Sequence, residues 1–240
     1  MNHLMHQFEV RRFVPLNLFG FDVSFTNAAL FMVLALICGI SFLWFLARKQ
    51  DVVPSTPQAI VEGLFNFIKK TAQDAIGHGY ERYLPFIFSI FIFILMGNLL
   101  GLFPYSFTFT SQLAVVGGFA LFCMFISMIV GLRHQGLGWF RTFFPKGVPV
   151  ALAPIIIPVE FISFLAKPFS LTLRLVMNMF VGHVLLKVAA GYVYEMGALG
   201  ALPFVVICLL VVFELFVAFL QAYIFTILTS VYLGQAIHSH

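Results

Sequence analysis

Long runs of apolar residues, separated by short polar segments, dominate this chain. Three of the runs have the length of one membrane crossing, which takes about 20 helical residues. They lie at residues 25–49, 84–103 and 109–132. The pattern predicts one transmembrane helix at each position.

Two further apolar stretches, 150–194 and 199–237, are about twice as long as one perpendicular crossing requires. No turn signal divides them near Phe180 or Phe216. Tilt accommodates a long apolar helix in a bilayer. We therefore predict two long, strongly tilted helices that form a hairpin, with the connection near residues 195–200.

The segment 54–76 mixes charged residues with apolar residues at helical spacing, and Pro54 and Pro57 mark its start. This mixture is typical of an amphipathic helix that lies in the membrane interface. Its apolar positions are Ile60, Leu64, Phe67, Ile68 and Ala72, and its charged positions are Glu62, Lys69, Lys70 and Asp74.

The composition agrees with these elements. Hydrophobic residues make up 62% of the 240 residues and charged residues 9%, whereas soluble domains carry about 25% charged residues. The net charge of +4 reflects few acids rather than a basic patch, which argues against nucleic-acid binding. We predict an all-α integral membrane protein: a single domain over 1–240, with a tail at 1–23, five transmembrane helices and one interfacial helix.

The distribution of lysine and arginine predicts the orientation, because cytoplasmic loops are enriched in these residues. A cytoplasmic C-terminus and an external N-terminus leave only Arg11 and Arg12 outside. The basic residues that then fall inside are Arg48, Lys49, Lys69, Lys70, Arg82, Arg133, Arg141 and Lys146.

The ionisable residues within the membrane segments are concentrated in the two long stretches. Such residues are costly in hydrocarbon and mark functional sites. The set is Glu160, Lys167, Arg174, His183, Lys187 and Glu214. We therefore expect the function to reside in the C-terminal hairpin.

Helical spacing sorts these residues by face. Ser170, Arg174 and Asn178 recur every four residues and share one face, whereas His183, nine residues after Arg174, points to roughly the opposite face. Glu160 and Lys167 lie on nearly the same face as Arg174.

The return helix carries Glu214 and, two turns further on the same face, Gln221. Antiparallel pairing about residue 197 places Glu214 level with residues 181–183 and Gln221 level with Arg174. A histidine–glutamate pair on the outer side is therefore expected.

The chemistry of these residue types suggests proton transfer. Arginine keeps its charge, whereas glutamate and histidine exchange protons near neutral pH when their surroundings shift their pKa values. An acid on one side, a fixed cation in the middle and a His/Glu pair on the other side predict two aqueous half-paths separated by positive charge.

Structural roles are alternatives for several of these residues. Arg174 could instead be a structural cation tied to Glu160 or Glu214, and His183 a packing residue. Lys167 and Lys187 fit snorkelling side chains, and Asn98 fits an interhelical hydrogen bond or a position on a water path.

The stretch SLTLRLVMNMFVGH, Ser170–His183, resembles the signature of subunit a of the F-type ATP synthase. The stretch FELFVAFLQAYIFTILTSVYL, Phe213–Leu233, is similar to the last helix of that family. HQFEV, DVSFTN and NLLGLFPYSF resemble its alphaproteobacterial and mitochondrial branch. The resemblance covers essentially the whole chain.

The resemblance implies a proton-channel subunit that is not itself catalytic and lies beside a rotating c-ring. Arg174 matches the arginine that faces the c-ring carboxylate, and Gln221 the glutamine that faces it. His183 and Glu214 match the pair in the half-channel open to the outside.

Further implications concern the second half-channel and the partners. Glu160 matches the acid near that half-channel, and Ser170 and Asn178 match polar lining positions. The implied partners are the c-ring, b-type subunits of the peripheral stalk and lipid, with protons as the transported species and no cofactor. The implied location is a bacterial inner membrane or, alternatively, the mitochondrial inner membrane. The chain departs from the family at Val176, Met177 and Val181, where smaller residues are common.

Other classes of protein fit the sequence less well. A secondary transporter, the main alternative, is disfavoured by the lack of internal repeats and of Gly/Pro breaks. A haem carrier needs paired axial ligands, and His183 has no intramembrane histidine partner; no nucleophile motif indicates a hydrolase. A proton path is favoured over a sodium path because no cation cage of carboxylates and hydroxyls is visible.

Overall fold

A computed structural model describes residues 12–14, 17–18, 21–22, 24–47, 55–103, 106–136, 138–139, 153–195 and 200–237. Within these ranges the chain forms six α-helices and four short strands. The helices are α1 (Asn27–Ala47), α2 (Thr56–Ile76), α3 (Leu84–Gly101), α4 (Leu113–Gln135), α5 (Ala153–Glu195) and α6 (Ala201–Ile237). All except α2 are long and apolar enough to cross a membrane, which confirms the predicted helical membrane architecture.

Two short antiparallel strand pairs precede α1. The sequence predicted a tail at 1–23 and a transmembrane helix from residue 25, whereas β4 occupies Phe25–Thr26 and the helix begins at Asn27. β1 (Arg12–Val14) pairs with β4 (Phe25–Thr26), and β2 (Asn17–Leu18) pairs with β3 (Phe21–Asp22). The side-chain oxygen of Thr26 accepts a hydrogen bond from the backbone N–H of Ala29 at 3.4 Å. This contact helps to satisfy the free N–H groups of the first turn of α1.

The connection between α3 and α4 differs from the sequence prediction. The predicted span at 109–132 begins four residues later, at Leu113, because Phe109–Ser111 form a separate 3-10 turn. An apolar run does not distinguish a buried irregular turn from the first turn of a helix. The predicted link at 104–105, the loop residues 140–149 and the hairpin connection at 196–199 lie outside the described residues.

The two C-terminal apolar stretches each form one continuous helix, of 43 residues for α5 and 37 for α6. Pro158 and Pro168 lie inside α5 without ending it. Because proline lacks an N–H, Pro168 leaves the carbonyl of Phe164 without its usual helical donor. The hydroxyl of Tyr232 on α6 donates to this carbonyl at 2.9 Å. A side chain of α6 thus compensates for the proline in α5.

The described residues belong to two compact units. Unit 1 takes its residues from Met1–Phe45, Ile92–Val116 and Arg174–Ala222. Unit 2 takes its residues from Leu46–Phe91, Gly117–Leu173 and Tyr223–His240. All five long helices therefore contribute residues to both units.

In unit 2, the amphipathic helix α2 packs against α3 and α6. Phe65 contacts Phe88 of α3 with ring centroids 5.4 Å apart, and Phe67 contacts Tyr223 of α6 at 4.8 Å. Gly234 of α6 approaches the backbone of α2 so closely that a β-carbon there would stand 3.3 Å from the carbonyl carbon of Ala75. The predicted amphipathic pattern is confirmed in part: Ile68 and Ala72 are buried and the charged residues of α2 are exposed, but Ile60 and Phe67, which were predicted for the apolar face, are 52% and 39% exposed.

The compensation of Pro168 by Tyr232 predicts a difference between two tyrosines of α6. Tyr232→Phe removes the hydroxyl that satisfies the carbonyl of Phe164, so we expect the free energy of unfolding to fall by about 1 kcal/mol. Denaturant unfolding of the full-length chain in detergent measures this change.

Tyr223→Phe is the matched control, because no hydrogen bond of the Tyr223 hydroxyl is found among the described residues. We expect this variant to unfold at the wild-type denaturant concentration. Equal stability of the two variants would contradict the role given to Tyr232.

Candidate functional site

Buried polar side chains of unit 1 gather on α3, α5, α6 and the segment that precedes α4. Each is at most 8% exposed, in a protein that carries few polar residues in its apolar helices. The set is Asn98, Thr108, Thr110, Ser111, His183, Glu214 and Gln221. Polar groups buried at membrane depth require a structural or a functional reason.

His183 lies on the buried face of α5, which it shares with Leu175 and Met179 at four-residue spacing. Its Nε2 is 3.1 Å from the hydroxyl oxygen of Thr108, and that hydroxyl also lies 3.4 Å from the carbonyl of Gly101 at the end of α3. Thr108, in the segment that precedes α4, therefore holds this imidazole in its orientation.

Glu214 of α6 lies directly against Gly182 of α5. A β-carbon on Gly182 would stand only 2.9 Å from the carboxyl carbon of Glu214, so the absence of a side chain makes room for the carboxyl group. This contact confirms the predicted antiparallel register, in which Glu214 is level with residues 181–183. The carboxyl oxygen Oε2 of Glu214 is buried and has no hydrogen-bond partner among the described residues.

Asn98 joins α3 to α6 between the two polar positions of α6. Its Nδ2 donates to the carbonyl of Ala218 at 3.1 Å, which confirms the predicted interhelical hydrogen bond. Ala218 shares the buried face of α6 with Glu214 and Gln221. The side-chain oxygens of Asn98 and Gln221 are buried without a partner in the described part of the chain.

Arg174 lies on the other side of α5. Arg174 and Asn178 are exposed, as is Ser170 one turn earlier, which confirms the predicted common face. The same face carries Met177 and Val181, which are 55% and 48% exposed. Among the residues that the structure describes, none forms an ion pair or side-chain hydrogen bond with Arg174. Within unit 1, Glu214 therefore forms no ion pair with Arg174 in the described chain.

The remaining predicted positions belong to unit 2. Lys167 is exposed and Glu160 is half-exposed, both on α5. Among the described residues, neither forms a side-chain hydrogen bond like those of His183 and Asn98 in unit 1. Lys167 thus fits a snorkelling side chain. For Glu160, only its position along α5 relates it to the predicted half-channel.

Sequence reasoning missed three residues that shape this site: Gly101, Thr108 and Gly182. The glycines matter through the side chains they lack, which a pattern of apolar residues does not show. The run Thr108-Phe109-Thr110-Ser111 was a usable signal, because residues with short hydroxyl side chains favour caps and turns over the interior of a helix. These hydroxyl residues instead form a buried turn.

The arrangement combines an arginine that has no ion pair among the described residues, on an exposed helix face, with a buried carboxyl group and a buried imidazole. The cation can attract a carboxylate of another chain, and the carboxyl group and the imidazole can each bind and release a proton. Fold and site together define a polytopic membrane protein whose buried polar groups suit proton transfer.

Comparison with known proteins identifies the family. The model of the ATP synthase A chain family matches residues 29–234. ATP synthase subunit a of Rhodospirillum rubrum is 42% identical over 241 residues, covering 100% of both chains. The subunit a proteins of Mesorhizobium japonicum and Agrobacterium fabrum are 42% and 43% identical, with at least 96% of either chain covered. The chain belongs to the ATP synthase subunit a family, and these alphaproteobacterial relatives agree with the branch expected from the sequence.

The contact between Gly182 and Glu214 generates a prediction. Gly182→Ala places a methyl group where the Glu214 carboxyl lies, so the carboxyl must shift by an ångström or more. We expect ATP-driven proton pumping in membrane vesicles to fall by about 100-fold, the effect of a comparable misplacement at other reacting groups.

Gly191→Ala in the same helix is the control, since nothing lies within 4 Å of a β-carbon at that position. It should pump protons at the wild-type rate. Wild-type pumping by Gly182→Ala, with normal amounts of protein in the membrane, would show that the position of Glu214 is not critical.

Proposed function

We propose that this chain conducts protons through the membrane part of ATP synthase by two offset half-channels, which meet at a carboxylate of the rotating c-ring. The observation that carries this proposal is the exposure of Arg174 near the middle of α5 without a partner in the described chain. A cation in hydrocarbon costs about 2.5 kcal/mol or more unless it is paired. A carboxylate supplied by another chain removes this cost.

Arginine suits this role because its guanidinium keeps its proton under all physiological conditions. A rotor carboxylate that arrives beside Arg174 is favoured in its ionised form and therefore releases its proton. The fixed charge also repels a proton that would otherwise pass directly between the half-channels. Met177 and Val181 supply the apolar surface around the cation, which fits a rotor helix better than water.

The outer half-channel, in this proposal, runs past the buried polar group of unit 1. His183 and Glu214 exchange protons, while Asn98 of α3 and Gln221 of α6 offer amide groups beside the buried face of α6. The register set by Gly182 and Glu214 supports a place for Gln221 level with Arg174, since seven residues further along α6 correspond to seven residues back along α5.

The inner half-channel is proposed to involve Glu160 and Ser170, with Asn178 next to the arginine on the same face. Glu160 lies 14 residues before Arg174 on α5, about 21 Å along the helix axis. This distance suits an acid near the opposite membrane surface. Lys167, between them, is assigned an interfacial role.

The proposed orientation has the N-terminus outside and the C-terminus in the cytoplasm of a bacterium, with the protein in the inner membrane. Lys69, Lys70, Arg82 and Arg133 are exposed and support this orientation through their positions at helix ends or on α2. Arg11, Arg48, Lys49, Arg141 and Lys146, which the same rule uses, lie outside the described residues.

The proposed partners are the c-ring at the Arg174 face, b-type subunits of the peripheral stalk, and lipid. The chemistry of ATP is assigned to other subunits, because the polar groups described above suit proton transfer only. No observation supports the alternative of a secondary transporter.

Replacement of the exposed cation tests the proposal. Arg174→Ala is expected to abolish ATP-driven proton pumping by membrane vesicles while the protein remains inserted, because the rotor carboxylate would keep its proton. Fluorescence quenching of a pH-sensitive dye reports pumping, and immunodetection reports insertion.

Arg133→Ala removes an exposed arginine at the end of α4 and should leave pumping unchanged. Normal pumping by Arg174→Ala would refute the proposed mechanism.

A further inference from the structure

We propose that the hydroxyl of Thr108 positions His183 for proton transfer, so that the segment Phe107–Ser111, which precedes α4, forms part of the proton path. This inference rests on the proposed function. It assigns a role to a segment outside α5 and α6, the two helices whose residues resemble the signature of the family.

The segment Phe107–Ser111 is buried at every residue, with exposures between 1% and 8%. Connecting segments normally run over the surface, since buried irregular backbone leaves polar groups without partners. Here contacts between aromatic rings hold the segment. The ring centroids of Phe107 and Phe31 of α1 are 6.0 Å apart, and those of Phe109 and Phe93 of α3 are 5.8 Å apart. Five consecutive buried residues indicate that this segment is part of the packed interior of unit 1.

Thr108 is fixed from three directions within this segment. Its methyl group occupies the space that Gly101 leaves, where a β-carbon would stand 2.6 Å from it. Its carbonyl accepts a hydrogen bond of 2.6 Å from the hydroxyl of Ser111. Its own hydroxyl lies 3.4 Å from the carbonyl of Gly101 and 3.1 Å from Nε2 of His183. The side chain therefore has one position, set by groups that carry no charge.

A hydroxyl group can donate one hydrogen bond and accept others. When Nε2 of His183 carries a proton, Thr108 can accept that N–H and donate to the carbonyl of Gly101. When Nε2 is free, the Thr108 hydroxyl can donate to it. Both protonation states of Nε2 keep a partner at one fixed position, which suits a histidine that gains and loses protons during turnover.

Packing alone offers a different explanation, in which only the shape of Thr108 matters. The two explanations diverge for valine and serine. Valine keeps the shape and loses the hydroxyl, whereas serine keeps the hydroxyl and loses the methyl group. A positioning role requires serine to function better than valine, and a packing role requires the reverse.

The test measures ATP-driven proton pumping by membrane vesicles that contain the complete ATP synthase. We expect Thr108→Val to pump about tenfold more slowly than wild type, the effect of one lost buried hydrogen bond, and Thr108→Ser to stay within about twofold. Wild-type pumping by Thr108→Val, or slower pumping by Thr108→Ser than by Thr108→Val, overturns the inference.

A second pair covers the case in which valine disturbs assembly. Thr108→Ala and Thr108→Ser both lack the methyl group and differ only in the hydroxyl. Pumping should again be about tenfold slower without the hydroxyl. Equal rates for alanine and serine overturn the inference.

Thr172→Val is the matched control for loss of a buried threonine hydroxyl. Thr172 is 3% exposed, and its hydroxyl donates within its own helix to the carbonyl of Pro168 at 2.8 Å. This variant should pump normally. Arg174→Ala in parallel separates the two proposals: if it fails to pump while Thr108→Val pumps normally, only the inference about Thr108 is lost.

Discussion

The structure depends on one constraint: hydrocarbon offers no partner to a charged or polar group, so each such group must be placed by the chain itself or by a neighbouring chain. α5 meets this constraint with its two faces. Arg174 lies on the exposed face, and His183, about two and a half turns later, lies on the buried face. Because the helix is continuous, the distance and angle between the fixed cation and the titratable imidazole are also fixed.

Glycine residues make the buried side of this arrangement possible. Helices in a bilayer associate through close packing, since hydrophobic burial provides no driving force between them. Gly182 admits the carboxyl of Glu214, and Gly101 admits the methyl group of Thr108. The same device joins α6 to α2 at Gly234 in unit 2. Small residues thus determine where polar side chains of different helices can meet.

The helices and their faces could be predicted because run length and the helical period carry that information. Counting residues was enough to place Glu214 level with residues 181–183, and the Gly182 contact agrees. The contact between Thr108 and His183 was not predictable, because it joins residues 75 positions apart through irregular backbone. No periodic pattern describes such a segment. The strand pairs before α1 were missed for a related reason: strands of two or three residues are too short to show alternation.

Three buried oxygen atoms without hydrogen-bond partners bear on how the proposed site can gain and lose protons. Oε2 of Glu214 and the amide oxygens of Asn98 and Gln221 lack hydrogen-bond partners among the described residues. Each such group costs about 1–3 kcal/mol, and a site selected only for stability would have removed them. A proton-conducting site has a different requirement. In the proposed function, only the carboxyl group of Glu214, of these three groups, binds and releases the proton, and a carboxylate oxygen without a permanent donor is free to do so. The amide oxygens of Asn98 and Gln221 accept hydrogen bonds and do not themselves titrate.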